Sequence, residues 1–328
     1  MKYNCHLDLN DLQQYVKETF GAGYVVNHVE NRHGGTQKVV YKVACTNHFS
    51  CMLYVWDLSM NYFQQEIEAG QVNQLTYGCD LFESNQAFLH RHGIRTPQVF
   101  YLNKERERYP FDFALVEYID GLDATHYLDA EASVQEKVFG RLGTMLTQMH
   151  RLERETFGTV NDNSGSAEKC HTLELENAKQ QLAYAANHIS AFQTNQMKLY
   201  NKLDELEAAI VPRARYSFIH GELGPDHVLV NDELQPYLID IEGSQYYDLE
   251  YEHSFLAFRF GDAYCYLNNA RLDRSRMLFY KLYHHLSCTS GGLKLLHRGF
   301  PNRGLAEMIV EHNYKSALKF IEVGEGDK

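Results

Sequence analysis

The sequence predicts a two-lobed α+β protein, with an antiparallel sheet and a helix over residues 1–118 and a mainly helical lobe over residues 119–328. Three observations carry this. Two β-branched and aromatic runs, residues 38–44 and 50–56, are joined by the polar Thr46-Asn47-His48 turn, the pattern of a hairpin. A short apolar run over residues 113–119 closes on Asp120-Gly121, and there we place the lobe boundary. Beyond it Val138, Leu142, Met145, Leu146 and Met149 recur at helical spacing. A chain of 328 residues is long enough to build two cores.

In chain order, the paired glycines Gly34 and Gly35 predict a turn ahead of the hairpin. Residues 80–92 predict an amphipathic helix with Leu81, Phe88 and Leu89 on one side and Gly93 ending it. Residues 96–100 lead into a further strand. Ser133 and Glu136 have the spacing of a capping box ahead of the long helix. Residues 174–210 are polar, rich in Gln, Asn and Ala, and free of Pro and Gly, which predicts one or two exposed helices. Residues 216–219, 228–230 and 237–239 predict short strands, and residues 248–323 are mainly helical in pattern.

A net charge of −12 and the lack of a Lys/Arg stripe argue against a nucleic-acid partner. No stretch is apolar enough to predict a membrane span, and residues 1–10 lack the basic and apolar regions of a secretory signal, so the expectation is a cytosolic protein. The seven cysteines are scattered without a CxxC pair, so we expect reduced thiols. His150 and His253 sit in apolar helical settings that suit hydrogen-bonded core histidines, and the adjacent His284 and His285 point to different helix faces.

The segment that carries chemistry is residues 218–243, FIHGELGPDHVLVNDELQPYLIDIEG. Asp240 follows two apolar strand residues, and a charge placed there is costly without a role. The segment resembles the catalytic and metal-binding region of the aminoglycoside phosphotransferase and choline-kinase-like family. The family shows His-Gly-Asp, four residues, Asn, a strand, a turn and an apolar pair before Asp-x-Asp/Glu. Here stand His220-Gly221-Glu222, then His227, then Leu238-Ile239-Asp240-Ile241-Glu242.

The resemblance implies a bilobed, protein-kinase-like fold and transfer of a phosphoryl group from ATP or GTP to a hydroxyl of a small molecule, with a cationic acceptor such as an aminoglycoside antibiotic first in view. It implies Glu222 as the base that orients the acceptor hydroxyl and takes its proton, with His220 supporting the loop. It implies Asp240, Glu242 and His227 as the metal set. Hard carboxylate oxygens suit Mg²⁺, whereas imidazole at the family's Asn position suits Mn²⁺ or Zn²⁺ better, or contacts phosphate, or braces the loop. Asp248 is expected to brace the loop from below. The same resemblance assigns Gly34 and Gly35 to the nucleotide-covering turn, Glu83 to the helix glutamate that pairs with a strand lysine, and the 116–118 stretch with Val116 and Tyr118 to the purine-reading hinge. Tyr54 stands where the family has its lysine, and Lys42 on the neighbouring strand is the expected substitute. Tyr54, Glu222 and His227 together leave open a nucleotide-binding pseudokinase or regulatory module. A protein kinase is disfavoured because Asp-Phe-Gly and Ala-Pro-Glu are missing from the chain.

Overall fold

The computed structural model describes residues 3–32, 35–69, 77–162, 169–268 and 271–322. The chain divides into two compact units, one of Met1–Asp123 with Val228–Glu242 and one of Ala124–His227 with Gly243–Lys328.

The first unit opens with α1 (Leu9–Phe20), capped by the Asp8 side chain on the Asn10 N–H. Then come β1 (Val26–Asn31), β2 (Val39–Cys45), β3 (Ser50–Trp56), the short α2 (Gln64–Glu68), α3 (Cys79–Arg91), β4 (Val99–Asn103), β5 (Asp112–Glu117) and β6 (Gly121–Asp123). The first five strands form an antiparallel sheet in the order β1-β2-β3-β5-β4. The hairpin turn places His48 at φ +65, and Gly93 at φ +71 follows α3. Strand alternation buries β3 on both faces. Leu53 and Val55 join Leu12 and Val16 of α1 and Leu115 of β5 in a core, while Tyr54 and Trp56 meet Phe82 of α3 edge-on or tilted.

The second unit contains α4 (Ala132–His150), the two-residue β7 (Glu153–Arg154), α5 (Cys170–Ala186), α6 (Ser190–Ala208) and β8 (Tyr216–Ile219). The chain then returns to the first unit with β9 (Val228–Asn231) and β10 (Pro236–Leu238). It ends in the second with β11 (Gln245–Tyr247), α7 (Leu249–Phe260), α8 (Arg274–His297) and α9 (Arg303–Glu322). β9 and β10 belong with the first unit because β9 pairs with β6 and the Leu238 N–H donates to the Arg95 carbonyl at 2.9 Å. Sequence patterning, which follows the chain, assigns them to the later lobe.

Two expectations about the helical unit are corrected. α5 and α6 are not exposed: Ala178, Leu182, Ala185, Phe192, Leu199 and Leu203 are fully buried in a core with α8 and α9. Small alanines carry that stripe, so the segment reads as polar although one face is closely packed. The capping box does not form either, since α4 begins at Ala132 after Glu131 with no side-chain cap bond. The apolar stripe of α4 is buried as expected. No helix among the described residues is long and apolar enough to cross a membrane.

Candidate active site

In the first unit the chemistry gathers on the turn that follows β10. Asp240 takes a left-handed backbone conformation at φ +55, which Asp and Asn tolerate better than other side-chain-bearing residues. A short 3-10 turn, Ile241–Gly243, follows. From α3 the fully buried Asn85 donates its amide to the Ile241 and Glu242 carbonyls at 2.8 and 3.2 Å, fixing the turn. Glu242 is buried and accepts from the Trp56 indole N–H at 3.1 Å. Half-exposed Asp240 also lines a small cavity with Tyr54, Phe82, Val116 and Ile239, so of the two expected hinge residues Val116 reaches this site.

The lysine at this site is Lys38. Its ammonium lies 2.5 Å from Asp240 Oδ1 and 2.7 Å from Glu242 Oε1, and only 8 % of its side chain is exposed. Burial alone would push its pKa down, but the Asp240 and Glu242 carboxylates outweigh burial and hold it above the ordinary lysine value. Its ammonium also lies 5.4 Å from the centre of the Tyr54 ring. The turn ahead of β2 aims it: a Cβ at Gly35 would collide with the Lys38 carbonyl oxygen, and the Tyr62 N–H donates to the Thr36 carbonyl at 3.1 Å. Gly34 lies outside the described residues.

Two expectations change here. Lys42 pairs across the hairpin with Met52, and its ammonium sits 3.7 Å from the centre of the Tyr118 ring, so the structure does not bring it to Asp240. Tyr118 is thereby engaged by Lys42. Glu83 forms a surface ion pair with Lys104 at 2.7 Å, because two residues along α3 from Asn85 means the opposite side of the helix. Asn85 was invisible to motif reasoning, since a lone Asn on a helix carries no pattern.

In the second unit, residues 220–227 form a loop between β8 and β9. His220 is fully buried, while the Glu222 carboxylate is on an exposed residue. Gly221 has φ +92, and a Cβ there would come within 2.8 Å of the Gly243 carbonyl oxygen, so glycine is needed for the approach. His227 Nδ1 bonds the Glu222 carbonyl oxygen at 2.7 Å, and the His220 and His227 rings stack with centres 6.1 Å apart. His227 therefore braces the loop through Nδ1. Arg259 of α7 pairs with Asp226 at 2.6 Å on the same loop.

The brace expected of Asp248 comes instead from Glu252. Asp248 is fully buried, accepting from the Tyr280 hydroxyl at 2.6 Å and from Arg276 Nε at 3.4 Å. Arg213 Nε lies 3.1 Å from its other oxygen as an ion pair. Asp248 thus ties the start of α7 to α8. One turn further on, buried Glu252 accepts the Gly221 N–H at 2.8 Å. Burial pushes its carboxyl up to about 7, against the pull of the Gly221 and His220 N–H groups.

A carboxyl raised in the folded state takes up its proton more readily there than when unfolded, so its contribution to stability falls as pH rises from about 4.5 to about 7. We expect wild type to lose stability over that window relative to Glu252→Gln, in paired thermal-unfolding series. Parallel curves would mean that the Glu252 carboxyl titrates normally. Burial pushes His253 down to about 4 and His284 to about 3, which holds these two in their neutral forms.

The donor chemistry of the first unit fits a divalent cation. Two carboxylate oxygens converge on a single position that Lys38 holds, and Mg²⁺ is typically bound by one or two carboxylates together with substrate phosphates. No group of three or more His, Cys, Asp or Glu side chains arranged to hold a metal occurs among the described residues.

Comparison with solved structures gives the class first. Aminoglycoside phosphotransferase APH(4)-Ia, as a thermostable mutant in its apo form, aligns with TM-score 0.63 at 13 % identity over 96 % of this chain and all of that one. Spectinomycin phosphotransferase APH(9)-Ia, in complex with ADP and spectinomycin, aligns with TM-score 0.63 at 15 % identity over 97 % and 98 % of the two chains. Choline kinase LicA from Streptococcus pneumoniae aligns with TM-score 0.60 at 14 % identity over 95 % and 99 %. The fold is thus the protein-kinase-like fold of small-molecule kinases. No curated protein matches by sequence at a significant level. The model of the phosphotransferase enzyme family matches residues 80–276, more than half of the chain, and the chain belongs to that family. It is a small-molecule phosphotransferase with a hydroxyl acceptor.

Proposed function

We propose that this enzyme transfers the terminal phosphoryl group of ATP or GTP to a hydroxyl of an aminoglycoside-like molecule. The observation that carries the reading is the convergence of Asp240 and Glu242 on one cation position. These two would hold Mg²⁺, or Mn²⁺, which would supply neutralising charge at the donor phosphates. Glu222 accepts the acceptor's hydroxyl proton as the new oxygen–phosphorus bond forms. The bond from that phosphorus to the bridging oxygen breaks, and the nucleoside diphosphate leaves with the electron pair. His220 and His227 keep the Glu222 loop in shape.

The acceptor class rests on the named ligands of similar structures, which include hygromycin B and spectinomycin, and on the net charge of −12, which suits a cation. A screen of labelled ATP and GTP against aminoglycosides, spectinomycin and choline tests it, and transfer to choline alone would replace the acceptor class. The second reading, a nucleotide-binding module without transfer, is favoured by Lys38 occupying the position on which the two carboxylates converge. Nucleotide binding with no transfer to any acceptor would select it.

A further inference from the structure

β3 carries no cationic side chain along its whole length, Ser50–Trp56, and Tyr54 projects where the resemblance expects a lysine. The cation at this site comes from a tight turn ahead of β2. Lys38 reaches both carboxylates from a position where Gly35 admits no side chain and a Tyr54–Trp56–Phe82 aromatic wall backs the site. Glu242 shares one oxygen between the Lys38 ammonium and the Trp56 indole. An ammonium at 2.5 and 2.7 Å and a Mg²⁺ ion at about 2.0–2.1 Å cannot both occupy the position between these two oxygens.

Resting on the phosphotransferase reading, we infer that Lys38 is a resident counter-cation for Asp240 and Glu242, released to a divalent ion when donor phosphates draw its ammonium away. With Lys38 in place the two carboxylates and the ammonium sum to one negative charge; without it they carry two. A cation alone therefore meets a site already half neutralised, and a nucleotide, by offering Lys38 a new partner, opens it. Metal and nucleotide then bind with positive coupling, each raising the affinity of the other by the same factor.

The experiment measures Mn²⁺ affinity of the full chain by calorimetry and by the electron paramagnetic resonance of the free ion, with and without AMP-PNP, for wild type, Lys38→Met and Lys38→Arg. Lys202→Met, on an exposed surface pair with Glu205, is the control. In wild type, AMP-PNP should tighten Mn²⁺ binding by about tenfold or more, a coupling of roughly 1.4 kcal/mol. Lys38→Met should bind Mn²⁺ alone about tenfold tighter than wild type and show correspondingly smaller coupling, keeping only the part that comes from direct coordination of the ion by phosphates, while Lys38→Arg keeps both wild-type properties.

Equal Mn²⁺ affinity in wild type and Lys38→Met overturns the inference. Should Lys38→Met fail to fold, the wild-type coupling still decides: affinity unchanged by AMP-PNP overturns it. Failure of the phosphotransferase reading looks different. If Asp240→Asn binds Mn²⁺ as wild type does, the metal site and this inference fall together. If coupling holds but no acceptor is phosphorylated, the transfer reading falls and Lys38 keeps its role.

Discussion

Glu222→Gln is expected to lower the turnover of phosphoryl transfer by about a hundredfold to ten-thousandfold, the usual range for a positioned acid–base group, with nucleotide affinity unchanged. The glutamine keeps the size of the side chain and removes its negative charge and its ability to take a proton. The loop that carries it is independently fixed by Glu252 on the Gly221 N–H, by His227 on the Glu222 carbonyl and by the close approach of Gly221 to Gly243. None of these three contacts uses the Glu222 carboxylate. Glu222→Asp separates reach from chemistry. It keeps the base one methylene further back, and intermediate turnover is expected if the longer reach is in use. Labelled-nucleotide transfer and calorimetry with AMP-PNP are the measurements. Transfer by Glu222→Gln at the wild-type rate would take the base away from this position.

What the sequence made legible follows from period and spacing. The hairpin, α3, the α4 stripe and the 218–243 segment were readable because strand alternation, helical periodicity and fixed motif distances are properties of neighbours along the chain. The site's supporting groups were not, because each is set by tertiary register. Lys42 was the natural choice by motif, but Lys38, four residues upstream and about 13 Å away along an extended chain, is the lysine whose turn aims it at Asp240. Asn85 and Glu83 differ by two helix positions, which decides between a buried amide on the Ile241 carbonyl and a surface pair with Lys104. Asp248 and Glu252 differ by one helical turn. The motif points to the first, and the structure gives the loop's N–H to the second. Sequence singles out the candidate carboxylates because chemistry restricts their type; it leaves their supports open because many residue types satisfy one hydrogen bond.

Asp240→Asn should abolish metal-dependent nucleotide binding and spare the fold, and both halves have a structural reason. At φ +55 the backbone of Asp240 is in the left-handed region, where Asn is as well tolerated as Asp, and 42 % of the side chain is exposed. The neutral amide can still receive a hydrogen bond from Lys38, which keeps its pairing with Glu242. What disappears is one of two negative charges at the cation position, leaving Glu242 and Lys38 to cancel each other. With one carboxylate charge in place of two, the cation position holds a divalent ion more weakly. The loss of a charge-assisted contact, roughly 2–3 kcal/mol, corresponds to about a 30- to 150-fold weaker binding of ATP or GTP in the presence of Mg²⁺. In the presence of a chelator the deficit of the variant should disappear, because it lies in the metal-dependent part. Calorimetry with and without Mg²⁺, alongside thermal unfolding, reads all three expectations. Wild-type affinity in the variant with Mg²⁺ present would remove Asp240 from the metal set.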